Sequence, residues 1–183
     1  NGSAAADHDA ALDCNYCAAG YSGTVSAANS AGCVICAAGT VNAVAGNGVT
    51  CSVCDAGSYV ATAGQSSCTG TCNTGYTTNG GTAADHDAAS DCNYCAAGYY
   101  SSVGAAAGSQ TANCVAISAG YRGATATSGG TYAATGAPHR EVCAAGKYST
   151  DGVGDCPGTC TVGYTTNGSA AADHDAALDC NYC

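Results

Sequence analysis

Phenylalanine, methionine and tryptophan are missing altogether, proline occurs twice, and lysine and arginine together contribute three residues of 183. Leu and Ile supply two side chains each and Val twelve. Burying one large aliphatic side chain is worth about 1.5–3 kcal/mol, whereas ordering the backbone costs about 1–2 kcal/mol for every residue. Sixteen such side chains cannot hold a chain of this length, so a conventional hydrophobic core is excluded. The shortage of cations excludes nucleic acid as a partner: the formal net charge is −10, and phosphate binding needs Lys and Arg. No run approaches the roughly eighteen apolar residues of a membrane-spanning helix, so no membrane span is expected. Neither an initiator Met nor a signal-peptide pattern is present, and the chain reads as mature or excised material.

What is abundant replaces the missing core. There are sixteen Cys, twenty-seven Gly and twelve Tyr. This much Cys in a Gly-rich chain predicts a disulfide scaffold, which persists only in an oxidising compartment. The expected location is therefore extracellular or on the cell surface.

Internal repeats set the organisation. Residues 1–17, NGSAAADHDAALDCNYC, recur without change at 167–183, and NGGTAADHDAASDCNYC at 79–95 matches them at fourteen of seventeen positions. The chain divides into a first cysteine-rich half (1–78), a second half (79–166) with a divergent insert at 121–142, and the start of a further repeat (167–183). Each half closes on a CxxGYTT segment, at Cys72–Thr78 and Cys160–Thr166.

Comparing the halves bears on the cysteine pairing. Ile117 stands opposite Cys36 and Arg140 opposite Cys51, so both cysteines are absent together, as partners would be. The rule this implies is that the second Cys of each cluster bonds to the first of the next. It predicts Cys17–Cys33, Cys36–Cys51, Cys54–Cys68, Cys72–Cys92, Cys95–Cys114, Cys143–Cys156 and Cys160–Cys180, with Cys14 and Cys183 facing neighbouring repeats. Each loop of about fifteen residues contributes roughly 3 kcal/mol on a chain-entropy account. The rival is zinc, because Cys14-x2-Cys17-x15-Cys33-x2-Cys36 has ribbon spacing. It is disfavoured because the corresponding sites of the second half would keep only three ligands each.

The segments Gly20–Ala27, Gly39–Ala45 and Gly57–Ala63 read as short strands or hairpins bounded by Gly and Cys. SAAADHDAALDC reads as a two-turn helix, with Thr82-Ala-Ala-Asp85 resembling a capping box. The fold class expected is a series of small disulfide-rich repeats, mostly irregular with short β-hairpins, stacked into an elongated, filament-forming rod or solenoid.

The segment CAAGTVNAVAGNGVTCSVCDAGSYVATAGQSSC (36–68) resembles the Cys-x-x-Cys-Pro-x-Gly-Thr/Tyr modules of ciliate surface (immobilisation) antigens. It is also similar to the cysteine-rich modules of growth-factor and tumour-necrosis-factor receptors. Ala follows Cys17, Cys36, Cys95 and Cys143 where Pro is usual, and Pro157 alone keeps the Cys-Pro-Gly form. The resemblance implies an extracellular coat of repeats.

Three Asp-His-Asp segments hold nine of the thirteen acidic residues: Asp7, Asp9 and Asp13; Asp85, Asp87 and Asp91; Asp173, Asp175 and Asp179. Three carboxylates within seven residues offer oxygen ligands to calcium; the alternative is a solvated acidic face that keeps a neutral scaffold soluble. No other cofactor is expected. His139-Arg140-Glu141 reads as a loop-stabilising ion pair or a docking point between repeats. The recurrent Tyr side chains are expected to cover cystines. Asn1-Gly-Ser and Asn167-Gly-Ser are glycosylation sequons, which makes glycans expected partners. Nothing resembles a nucleophile with a base held beside it, so no enzyme is expected. The function these features imply is a structural filament or surface coat whose main partner is itself. A receptor-like ectodomain that captures a ligand or carbohydrate is the alternative.

Overall fold

The computed structural model describes residues 16–26, 32–102, 113–125 and 131–183. Within them the chain repeats one local device eight times. A Cys (Ile at 117) is followed by two residues, a Gly and then Tyr, Thr, Ser or Lys. The Gly residues of these turns, from Gly20 to Gly163, have φ of 78–91°. The N–H of the following residue bonds to the carbonyl three positions back, at 2.9–3.3 Å in all eight. This is a type II turn with Gly at its third position, where a Cβ would be strained.

Seven of the eight turns launch a short strand, and the turn at Gly163 leads to an isolated bridge between Thr165 and Tyr182. Among the described residues there are seven two-stranded antiparallel pairs. Tyr21–Gly23 (β1) pairs with Cys33–Ile35 (β2), Thr40–Val41 (β3) with Ser52–Val53 (β4), and Ser58–Tyr59 (β5) with Gly70–Thr71 (β6). Tyr76–Thr77 (β7) then pairs with Tyr94–Cys95 (β8), and Tyr99–Ser101 (β9) with Cys114–Ala116 (β10). Tyr121–Ala124 (β11) pairs with His139–Val142 (β12), and Lys147–Tyr148 (β13) with Gly158–Thr159 (β14). The pairing is shorter than the seven- or eight-residue runs that composition suggests, because a cystine and a closing hydrogen bond end each hairpin early. The closing bond runs from the N–H just after the second strand to the turn glycine's carbonyl, as in Cys36 to Gly20 and Cys143 to Gly120, both at 2.9 Å.

The structure joins Cys17–Cys33, Cys36–Cys51, Cys54–Cys68, Cys95–Cys114, Cys143–Cys156 and Cys160–Cys180, with Cα–Cα distances of 5.3–5.9 Å. Cys72 and Cys92 are disulfide-bonded as well. Cysteine therefore supplies most of the apolar interior: Cys17, Cys36, Cys54, Cys95, Cys143 and Cys156 are buried, alongside Val60, Ile117, Ala124 and Ala137.

The chain forms two compact units, Asn1–Cys72 with Thr78–Asp91, and Asn73–Thr77 with Cys92–Cys183. Inside each, the same step recurs between modules. In the first unit the turn N–H of Gly20 donates to the Asn42 carbonyl (2.8 Å), that of Gly39 to the Val60 carbonyl (2.8 Å) and that of Gly57 to Thr78 Oγ1 (3.0 Å). In the second unit Gly120 donates to the Ser149 carbonyl (2.8 Å) and Gly146 to Thr166 Oγ1 (2.9 Å). Every acceptor is the third residue after its own module's turn glycine, and Asn42, Val60, Thr78, Ser149 and Thr166 are all buried. Each is a polar or β-branched residue that sits beneath a neighbouring backbone.

The DHD segments depart from the expected two-turn helix. Each described copy forms two separate 3-10 turns, Ala83–Asp85 and Ala89–Asp91 in one, Ala171–Asp173 and Ala177–Asp179 in the other. A continuous helix so short is marginal on its own, and here the intervening His is drawn inward instead.

Candidate functional site

The two described DHD segments are built alike. Asp85 Oδ2 accepts from the Thr82 backbone N–H (2.9 Å) and hydroxyl (2.6 Å), and Asp91 Oδ2 from the Ala88 N–H (2.8 Å). In the later copy Asp173 accepts from the Ala170 N–H (3.0 Å), and Asp179 from the N–H groups of Asp175 (3.0 Å) and Ala176 (2.8 Å). These carboxylates close the 3-10 turns upon themselves. The Thr82 hydroxyl and then its N–H hold the Asp85 carboxyl below its ordinary value.

The histidines between them are buried, 2% exposed in both copies. His86 Nδ1 lies 3.0 Å from the Ser58 carbonyl and Nε2 3.3 Å from that of Gly80; His174 meets Lys147 and Gly168 at 3.1 and 3.2 Å. The backbone carbonyl of each His receives the neighbouring module, from the N–H of Val60 in one case and Ser149 in the other, both at 3.0 Å. The DHD segment is thus a clasp: its His plugs the preceding hairpin while its Asp side chains fix the local turns.

Among the described residues no three His, Cys, Asp or Glu side chains converge on a point that would hold a metal ion. Asp85, Asp87, Asp91, Asp173, Asp175 and Asp179 are half-buried around the clasp. Of the four cysteines of the rival zinc ribbon, Cys17, Cys33 and Cys36 are in cystines. Asp7, Asp9, Asp13, Cys14 and Asn1 lie outside the described residues. Asn167 is exposed at the surface, and Cys183 is an exposed free thiol.

The divergent insert carries the second distinctive arrangement. Ile117 is buried where the other half has Cys36, and Arg140 sits three residues before Cys143 as Cys51 sits three before Cys54. The Arg140 guanidinium lies over two rings, 4.4 Å from the centroid of Tyr121 and 5.2 Å from that of Tyr100. On the other side of the hairpin Arg122 binds Glu141 at 2.8 Å and Asp155 at 2.6 Å. Burial works against the Arg122 charge, but the bonds to Asp155 and Glu141 outweigh it and raise its pKa. Here a longer strand pair, a cation held between aromatic faces and an ion-pair fork occupy the place of one cystine. Arg140 is therefore in a strand and stacked, and it is Arg122 that pairs with Glu141.

Several tyrosines cover glycine. Tyr59 and Tyr148 lie across the strand from Gly70 and Gly158, with ring atoms where a Cβ would be, and Tyr99 packs on Gly75. The buried third residue after each turn glycine and the clasp histidines went unread in the sequence. The signal of the former is a polar or β-branched residue at a constant offset from the turn glycine, as in Asn42, Val60, Thr78, Ser149 and Thr166.

No protein-family model matches the chain. No curated protein matches it either.

Proposed function

We propose that this protein is a non-enzymatic structural component of an extracellular array, in which tandem cystine-stapled modules stack into a filament or coat that carries glycans. The observation that supports it most is the repeated step from one module to the next. A backbone N–H reaches the same buried position of the following module five times, with two units using the same chemistry. Such nearest-neighbour contacts propagate without a specialised centre, as in other quasi-one-dimensional repeat proteins. The scaffold is disulfide-rich, and among the described residues no helix is long and apolar enough to cross a membrane. Both features are compatible with an extracellular setting. The similarity of 36–68 to surface-antigen modules points the same way. Exposed Asn167, inside Asn-Gly-Ser, is the proposed glycan site.

Electron microscopy of unreduced material, paired with denaturing gels before and after reduction, tests this reading. Extended assemblies that resist denaturant until reduced are expected. Discrete particles that run near 17.3 kDa without reductant would overturn it and favour the receptor-like alternative. Deglycosylation that leaves the mass of the Asn167 peptide unchanged would remove the glycan from the proposal.

A further inference from the structure

The Asn167-Gly168-Ser169 sequon leads into the clasp, and Gly168 and Ser169 line a cavity of about 310 Å³ in the second unit. β12 and the turn after it contribute Glu141, Val142 and Ala145 to the same cavity, which the clasp His174 also borders. Asn167, Gly168 and Ser169 are exposed, as are Asn79, Gly80 and Gly81 of the earlier copy, so this edge of the clasp faces outward in both. A group carried on Asn167 is thus one residue from the cavity.

The lining has a definite chemistry. Arg122 holds Glu141 Oε2 at 2.8 Å, which fixes the carboxylate in place, and a carboxylate accepts from several donors at once. Val142 and Ala145 add small apolar surface, and Ser169 adds a hydroxyl. An anchored acceptor beside apolar surface suits a ligand with several O–H donors and a methyl group, which describes an N-acetylhexosamine. The earlier clasp offers a comparison. Gly81 stands there in place of Ser169 and breaks the sequon, and Ser52, which follows Cys51 as Glu141 follows Arg140, stands in place of the carboxylate. The sugar acceptor and the anchored carboxylate are present together in one copy and absent together from the other.

We infer that the first sugar of a glycan on Asn167 packs into this cavity against Glu141, Val142 and Ala145 and latches β12 to the clasp. This rests on the glycan part of the array reading and states what the glycan does there. The tether makes the contact intramolecular, so an interaction too weak to hold a free sugar suffices. What the latch protects is the linkage between modules. It covers the contact of His174 Nε2 with the Gly168 carbonyl (3.2 Å), and the same histidine receives the Ser149 N–H on its own carbonyl (3.0 Å).

The test uses the full 183-residue chain secreted from a eukaryotic host. It is compared with its glycan whole, with the glycan trimmed by an endoglycosidase to one N-acetylglucosamine, and as Asn167→Gln. The mass of the Asn167 peptide gives occupancy, and amide hydrogen exchange gives the protection of 139–149 and 168–175. Both sugar-bearing forms should exchange about three- to tenfold more slowly there than Asn167→Gln, the gain from a tethered ligand at a few times its dissociation constant. Ala145→Leu fills the cavity from an exposed position and leaves the sequon whole, so it should carry the sugar yet exchange alike with and without it. Sugar that leaves exchange unchanged, slowing that survives Ala145→Leu, or slowing that needs the untrimmed glycan overturns the latch and leaves the glycan assignment standing. An Asn167 peptide without sugar overturns both.

Discussion

Replacing Gly120 and Gly163 by Ala separates two demands that the repeated turn places on its glycine. Both residues lie in the second unit and hold nearly the same conformation, φ 79° and 91°. A Cβ in this region costs about 1–2 kcal/mol, and that is the whole cost expected for Gly163→Ala, where nothing stands nearby. At Gly120 the added carbon would fall closer than 3.0 Å to the Ala171 carbonyl oxygen, against backbone that cannot rotate away. Relieving it separates the two modules and breaks the bond from Gly120 N–H to the Ser149 carbonyl, about another 1 kcal/mol, with buried carbonyls left unpaired for about 1–3 kcal/mol more. Gly120→Ala should therefore be at least about 2 kcal/mol worse than Gly163→Ala, more than tenfold in the unfolding equilibrium. Denaturant unfolding with the disulfides intact measures the difference, and oxidative refolding yield reports it if Gly120→Ala is too unstable to purify. Gly39→Ala should behave like Gly120→Ala, since Ala83 O lies in the same place. Equal losses at Gly120 and Gly163 would refute the argument that the close approach of modules holds the stack together.

Introducing Ile117→Cys with Arg140→Cys should restore a cystine, because the corresponding Cys36 and Cys51 have Cα atoms 5.7 Å apart; intact mass without reductant checks it, and two alkylatable thiols would contradict it. Once formed, that bond should add roughly 3 kcal/mol, less what the Arg140 stacking contributed. His174→Ala should destabilise the second unit by about 2–3 kcal/mol by emptying a buried site and removing the ring N–H that faces the Lys147 or Gly168 carbonyl, read by thermal unfolding. Asp85 has a lowered folded pKa, so its contribution is complete above the unfolded value near 3.8 and is lost as pH falls through the folded one. Thr82→Ala, which removes the largest cause, should move the Asp85 carboxyl upward in an NMR titration, and no movement would contradict the assigned hydrogen bond.

The cystine framework was legible because the chain contains its own control. The joint absence of partners at Ile117 and Arg140 ties Cys36 to Cys51, and one rule then runs along the chain. The hairpins were legible from Gly and Cys punctuation, although not their brevity, since the closing bonds that stop them depend on the turn behind. A local reading of the DHD segments sees only charge and spacing, which offer a helix and either a calcium site or a solvated acidic face. What decides their form is the cavity presented by Ser58 and Gly80, or Lys147 and Gly168, into which the His fits. That cavity exists only after distant backbone has folded. Arg140 was visible as an oddity, but its two rings come from Tyr100 and Tyr121, forty and nineteen residues away, and only the hairpin brings them together.

The step from turn glycine to the third residue of the next module has a consequence for how much of the text of this chain carries structural meaning. Geometry dictates one glycine in each turn, the paired cysteines and, at five steps, one buried polar or β-branched residue. Exposed positions such as Val34, Val44, Val162 and Leu178 are not dictated by it. Since the linking bonds come from backbone or from Thr hydroxyls at the interior position, outward side chains can be rewritten without altering the register of the stack. Such a scaffold separates grammar from vocabulary: a few fixed characters preserve the bonds between modules while the outer surface is free to take on new charge or new shapes.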